Sequence, residues 1–298
     1  MAANRIDTTS PAFTEHRIAR DRGSVHVRDF PGHGSAFVLL HGFPDNSHIY
    51  DDLIPHLASA GRRIVTIDFL GFGASDKPVG SHYSFAQQLG DVEAVVDALS
   101  LDKIIPVGHD AGGPAAVNFA LEHPERTAAI TLMNAFYGAA PGLRVPELIA
   151  LFSNRELSAL SLHFLASPEQ FAWLLDFQRN QLAKGLTETQ KVRYFEFLGP
   201  IIDDNFRQQP SAASAFVQMT SQLTDEVAAN TARLVEFRRS DVPLLLIWGK
   251  ADPYLHLSIA EHMRSQARHA SLHALNAGHW PQIDAAAEAA RIMLEECR

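Results

Sequence analysis

Ile104-Ile105-Pro106-Val107-Gly108-His109-Asp110-Ala111-Gly112-Gly113 reads as a strand that ends in a very tight turn. The apolar run over 104–107 has strand length, and an Ala-rich helical pattern follows over 114–122. Gly108 and Gly112 stand two positions either side of Asp110. A Cβ at either position would collide with the next element, so the sharp bend calls for glycine. The turn lifts one side chain, that of Asp110, above the end of a sheet.

This is the pattern of a nucleophile elbow with Asp in the place usually held by Ser. The exchange changes the chemistry. A Ser alkoxide attacks a carbonyl and leaves an acyl ester. An Asp carboxylate is a weak nucleophile toward esters and amides, but it can displace an alkoxide or a halide from an sp3 carbon, leaving an alkyl ester on the enzyme. Gly and Asp also crowd ordinary turns, so the reading depends on partners elsewhere in the chain.

Composition narrows the possibilities. The 298 residues suit one large α/β domain, or a core with an inserted subdomain. Hydrophobic residues make up 46% and charged residues 20%, ordinary globular values that argue against a disordered chain. A formal net charge of -9 argues against a nucleic-acid partner. Cys297 is the single cysteine, so no internal disulfide is possible and a reducing cytoplasm is compatible. The first 30 residues carry Arg5, Asp7, Glu15, Arg17, Arg20, Asp21 and Arg22 without an apolar segment, which argues against a typical signal peptide. No run approaches the ~20 apolar residues of a membrane span. The expectation is a cytoplasmic protein with neither a membrane nor a nucleic-acid partner; oligomeric state is not legible.

Along the chain, residues 1–15 read as polar and loose, and 17–20 and 25–29 as short strands around Asp21-Arg22-Gly23-Ser24. Apolar runs predict strands at 36–40, 63–68 and 129–133 beside the one that leads into the elbow. Helical patterns at 50–58 and 85–99 alternate with them, the latter with Leu89, Val92, Val96 and Leu99 on one face. The alternation predicts a mostly parallel, doubly wound sheet. From 137 to 238 no Val/Ile strand run appears; helical stretches over 146–151, 168–182, 187–197 and 212–223 predict a helical insertion. Strands resume at 242–249 and 271–275, and a helix over 283–296 closes the chain. The expected organisation is a core of 17–136 and 239–298 with a helical cap at 137–238.

Candidate partners for Asp110 follow strand ends, the edge at which open α/β sheets collect ligands. His279, in Gly278-His279-Trp280, is placed to activate a water that attacks the alkyl–Asp110 ester. Asp252 is placed to orient His279 and stabilise its imidazolium. The competing position, Asn134, is a neutral amide and cannot supply that charge. In His41-Gly42-Phe43-Pro44, the Phe43 amide would join the amide of Ala111 as an oxyanion hole. Metal is a poor alternative: His269 and His273 are four apart on a segment that reads as strand, so they share no helical face. No cofactor is expected.

From about residue 17 onward the chain resembles the α/β-hydrolase fold superfamily. The shared marks are His41-Gly42-Phe43-Pro44, Asp68-Phe69-Leu70-Gly71-Phe72-Gly73-Ala74-Ser75-Asp76-Lys77-Pro78, the Asp110 elbow, Asp252 and Gly278-His279. The Asp nucleophile and the His-Gly-Phe-Pro form are similar to epoxide hydrolases and to the neighbouring haloalkane and haloacetate dehalogenases. That resemblance implies a cap between the strands at 129–133 and 243–248 and a small hydrophobic substrate.

The halide-binding positions of the dehalogenases hold no side-chain donor here: Ala111 follows the nucleophile and Phe43 follows His-Gly. No Arg occupies 111–114, where the haloacetate enzymes carry one. Epoxide hydrolases draw the proton for the epoxide oxygen from two cap tyrosines, or from a Tyr and a His. Here the candidates are Tyr194 and His163, with Tyr137 at the entrance to the insertion, and 212–223 contains no Tyr. The leading expectation is an epoxide hydrolase that yields a vicinal diol. The alternatives are a haloalkane or haloacid dehalogenase and a non-catalytic ligand-binding protein of the same fold.

Overall fold

The computed structural model describes residues 11–297. The loose start expected for 1–15 falls mostly on residues 1–10, outside the described residues; strand β1 (Thr14–Ala19) already includes positions 14 and 15. It pairs antiparallel with β2 (Ser24–Phe30), the hairpin expected around Asp21–Ser24. Next come β3 (His33–Leu40), α1 (Ile54–Ser59), β4 (Arg62–Asp68), α2 (Phe85–Ala98), β5 (Ile104–Asp110), α3 (Gly112–Glu122) and β6 (Ile130–Ala135). Between β6 and the next strand, the described chain is helical: α4 (Glu147–Ser153), α5 (Ser158–Ala166), α6 (Pro168–Leu182), α7 (Glu188–Arg193), α8 (Gly199–Arg207), α9 (Ala213–Ser221) and α10 (Leu223–Phe237). The core then resumes with β7 (Leu244–Gly249), α11 (Leu257–Gln266), β8 (Ala270–Leu275), α12 (Pro281–Asp284) and α13 (Ala286–Glu296).

All the strands form one 8-stranded sheet in the order β1-β2-β4-β3-β5-β6-β7-β8. β2 joins β4 antiparallel, and every pair from β4 to β8 is parallel. This is the α/β-hydrolase architecture expected from the sequence. The reason is visible residue by residue. Phe37–Leu40 on β3, β6 and β7 are buried throughout, as strands covered by helices on both faces must be. Burying each such Leu, Ile or Val contributes roughly 1.5–3 kcal/mol, enough to make these runs the spine of the sheet. Helix α2 starts where the Ser84 side chain accepts from the Gln87 amide, and it buries Val92, Val95 and Val96.

The elbow between β5 and α3 is tight enough to need its glycines. A Cβ at Gly108 would lie 2.8 Å from the Gly112 carbonyl oxygen, and one at Gly112 would lie 2.5 Å from that of Leu40. Asp110 itself adopts φ 46°, in the left-handed region. The bend leaves the eleven-residue α3 starting just beyond the Asp110 carboxylate, whose charge its N-terminal dipole stabilises. Gly112→Ala is therefore expected to cost ~2 kcal/mol of stability, the scale of overpacking in a filled core. Urea unfolding measures this directly, and an unchanged midpoint would contradict the packing argument.

Candidate active site

The C-terminal ends of β5, β6 and β7 bring together residues far apart in sequence. Asp110 ends β5 and Asn134 lies near the end of β6; Asp252 follows β7, and His279 follows β8. His279 Nδ1 lies 2.6 Å from Asp252 Oδ2, and its Nε2 lies 3.9 Å from Asp110 Oδ1. Asp252 and His279 are buried, whereas the Asp110 side chain keeps 21% of its exposure and faces a cavity.

Each group is held by identifiable partners. Asp252 Oδ1 accepts from the amides of Tyr254 at 2.9 Å and Leu255 at 3.0 Å. Its Oδ2 accepts from Asn134 Nδ2 at 2.8 Å as well as from His279. Asn134, at φ 35°, accepts the Gly249 amide on its Oδ1 at 2.7 Å. Asn134 is thus a brace between β6 and the acid; the carboxylate that faces His279 belongs to Asp252. The amides of Ala111 and Phe43 face the Asp110 carboxylate closely enough to favour its charged form. Gly42 makes that approach possible, since a Cβ there would lie 2.6 Å from Asp110 Oδ2. His41 serves the loop: its Nδ1 donates to the Gly42 carbonyl and its Nε2 accepts the Phe69 amide at 3.1 Å.

The electrostatics follow from burial and pairing. Burial opposes the charged form of His279, but Asp252, by charge and hydrogen bond, and then Asp110 push it up to about 9. Burial would raise Asp252, yet its bonds to His279, the Tyr254 amide and Asn134 hold it below the ordinary carboxylate range. Asp110 is held above that range by burial, against the pull of His279 and the two amides.

Asp45 is a member of the cluster that sequence reasoning passed over. It follows Phe43-Pro44 directly, which was the available signal. Its Oδ2 accepts from Trp280 Nε1 at 2.9 Å, its Oδ1 has no partner, and burial pushes its carboxyl up to about 7. Arg179 and Gln178 on α6 line the cavity and were also missed, because nothing in a helical pattern says which face turns inward; Tyr254, in the loop after β7, was read only as a loop residue.

The cavity, of about 240 Å³, is mostly apolar and lies between the strand ends and helices α4, α6, α8 and α10. Tyr194 lines it on a π-helical turn, Tyr194–Leu198, and its ring packs 5.3 Å from that of Trp280. Two other sequence candidates do not reach it. His163 is exposed on α5, a helix of which only Ser161 is buried, so the expectation that it donates a proton is corrected. Tyr137 gives its hydroxyl to Asn118 Oδ1 at 2.8 Å and packs against Phe237, away from the cavity lining. Among the described residues no cluster of three or more His, Cys, Asp or Glu is placed to hold a metal, and no helix is long and apolar enough to cross a membrane.

Residues 35–286 match the family model of the α/β hydrolase fold. The chain is 27% identical to bifunctional epoxide hydrolase 2 of Sus scrofa over 89% of its own length and 51% of that protein. It is 28% identical to a haloalkane dehalogenase of Mycobacterium marinum, over 97% of this chain and 92% of that one. The chain spans about half the length of the epoxide hydrolases it matches first. In structure it is similar to 2-hydroxy-6-oxo-6-phenylhexa-2,4-dienoate hydrolase from Rhodococcus sp. strain RHA1, with TM-score 0.77 at 19% identity over 96% of this chain and 98% of that chain. That likeness is one of fold.

His279 also gives a pH prediction. Its folded value, about 9, lies above its ordinary 6.5, so the stability gained from the charged ring is fully present below 6.5 and is lost as pH rises through 9. The stability advantage of the native chain over His279→Gln should narrow across that window, as read by denaturant unfolding at a series of pH values. In Asp252→Asn the His279 titration, followed by NMR, should fall by more than ~1 unit, since an adjacent opposite charge is worth 1–3 units. An unmoved titration would remove Asp252 as the charge partner.

Proposed function

The chain belongs to the α/β-hydrolase fold family, and we propose that within it the protein is an epoxide hydrolase whose nucleophile is Asp110. One Asp110 oxygen attacks an epoxide carbon, the C–O bond breaks, and the ring oxygen takes a proton from Tyr194. His279 then removes a proton from water, the water attacks the Asp110 carboxyl carbon, and the C–O ester bond opens to release a vicinal diol. Asp252 holds the ring of His279, and the amides of Phe43 and Ala111 stabilise the oxyanion of the second step. The helical stretch 137–238 acts as a cap that carries the proton donor and excludes water. The reading includes a cytoplasmic location and a small hydrophobic substrate, in keeping with the apolar cavity.

The observation that supports the epoxide reading over the halide reading is a phenol in the cavity, that of Tyr194, able to give up a proton. An alkoxide is strongly basic and needs a proton, whereas a halide needs only N–H donors. Phe43 and Ala111 present no side-chain donor. The indole N–H of Trp280, which does line the cavity, is taken by Asp45, and that of Trp248 by the Leu255 carbonyl; apart from His279, the other side-chain N–H groups on the wall belong to Gln178, Arg144 and Arg179. The Tyr194 hydroxyl, by contrast, is not tied to any partner among the described residues.

Two experiments test this reading. Incubated with an aryl epoxide, His279→Gln should accumulate a substrate adduct on Asp110 detectable by mass spectrometry, and Asp110→Ala should fold, form no adduct and turn nothing over. Adduct formation from a bromoalkane with none from any epoxide would move the assignment to the dehalogenases. Tyr194→Phe should slow ring opening ~10²-fold, the low end for loss of a general acid, while leaving hydrolysis of the ester nearly unchanged in rapid-quench kinetics. Ring opening at the native rate would clear Tyr194.

A further inference from the structure

Two arginines, Arg144 and Arg179, line the cavity with Tyr194, and the second reaches the π turn that carries it. Arg179, on α6, is buried, and both ends of its guanidinium are fixed: Nη1 lies 2.5 Å from Asp176 on its own helix and Nη2 lies 2.6 Å from Asp203 on α8. Its Nε is buried without a partner. The place it reaches is the end of the π turn. Gly199 closes that turn by donating its amide to the Tyr194 carbonyl, and a Cβ at Gly199 would lie 3.5 Å from Arg179 Nε. Two pinned ends and a snug fit against the Gly199 backbone give this arginine one position. A surface arginine, in contrast, loses its ion pairs to solvent and entropy.

A buried guanidinium is costly to desolvate, and well-packed apolar residues often do as well; of its two counter-ions Asp203 is mostly buried and Asp176 largely exposed. The position of the charge suggests what it is for. The phenol of Tyr194 feels Arg179 as its strongest charged neighbour, opposing the burial that otherwise makes the hydroxyl a poor acid. The charges opposing Arg179 are Asp45, Asp284 and Asp252, from the core side of the cavity.

We propose that Arg179 is a positioning residue for proton donation: a pinned cation beneath the π turn that stabilises the Tyr194 phenolate formed when the hydroxyl gives up its proton. The inference rests on the epoxide reading for its chemistry. As the Asp110–carbon bond forms and the carbon–oxygen bond of the ring breaks, the ring oxygen takes the Tyr194 proton, and one negative charge moves from Asp110 to the phenolate. The phenolate regains a proton after His279 has taken one from water. A single tyrosine with a cation behind it is then sufficient where no second cavity tyrosine is free: Tyr254, the other one on the wall, is engaged with Gln178 and Glu147.

The test reads Tyr194 without any substrate. A trifluorotyrosine at position 194 lowers the intrinsic value of the phenol, so its ionisation can be followed by absorbance. Arg179→Met should raise the midpoint by ~1 unit or more, the shift expected for losing an adjacent opposite charge. Arg179→Lys should keep most of the native value. Asp203→Asn, which removes a counter-ion and leaves Arg179 held by Asp176, should move the midpoint the other way. Damage to the fold would not reverse sign between these variants. An unmoved midpoint in Arg179→Met, or a rise in Asp203→Asn, would overturn the proposal.

Kinetics provide the second arm. With Tyr194 present, Arg179→Met should slow ring opening at least ~10-fold, the rate equivalent of one unit; in Tyr194→Phe it should change the rate less than ~2-fold. Equal slowing in both backgrounds would reduce Arg179 to a structural ion pair. If the midpoint shifts as stated but the native chain forms no Asp110 adduct from any epoxide, the epoxide reading fails and the field on Tyr194 stands.

Discussion

Asp110 holds its backbone at φ 46°, and the rest of the site is arranged around that conformation. A non-glycine residue in the left-handed region costs of order 1–3 kcal/mol and persists only when its surroundings impose it. Here they do. β5 is an interior strand; Gly108 lets the helix that follows pack against its own strand, and Gly112 lets that helix start against the end of β3 at Leu40 and His41. Gly42 brings the loop after β3 against the carboxylate. Asn134 repeats the device one strand over at φ 35°, where its amide joins Gly249 to Asp252. Two neighbouring strand ends therefore store strain to aim polar side chains past the sheet edge, the edge at which α/β folds bind ligands.

The electrostatic design follows from how many donors each acid receives. Asp252 has two backbone amides, an Asn side chain and the imidazole, and it stays ionised despite burial. Asp45 receives the indole N–H of Trp280 and is pushed up to about 7. Asp110 is held above the ordinary range by burial, against the pull of a more distant imidazole and the nearby amides of Ala111 and Phe43. Acids that share one cavity edge are thus separated in character by environment, the arrangement that lets one carboxylate attack while another holds a charge. Once Asp110 is alkylated its charge is gone, and His279 loses one of the three carboxylates that raise it, so forming the intermediate itself favours the neutral base needed next.

The sheet was legible in the sequence because strands buried on both faces leave continuous apolar runs, as at 36–40 and 129–133, and those runs lie within β3 and across the start of β6. The elbow was legible for a related reason: crowding excludes every residue but glycine at fixed offsets from Asp110. The helical insertion was visible in outline, and 168–182 coincides with α6. Its details were not. The stretch 187–197 reads as one helix, yet the chain forms α7 and then a π turn at Tyr194, a change of hydrogen-bond spacing that side-chain periodicity does not encode. For the same reason His163 could be placed on a helix but not on its outer face. The Asn134–Asp252 brace was hidden because a hydrogen bond across β6 and β7 depends on register, and the two residues are 118 positions apart.

The most direct test of the two-step account is the fate of the oxygen atoms. The account has water attack the Asp110 carboxyl carbon, so the diol takes its new oxygen from Asp110 and the water oxygen stays on the enzyme. In ¹⁸O-water with enzyme in excess over an epoxide, the diol from a single turnover should carry no label. After many turnovers the peptide containing Asp110 should carry ¹⁸O. Label in the diol from the first turnover, with none entering Asp110 after many, would mean that water attacks the substrate directly and that Asp110 is not the nucleophile.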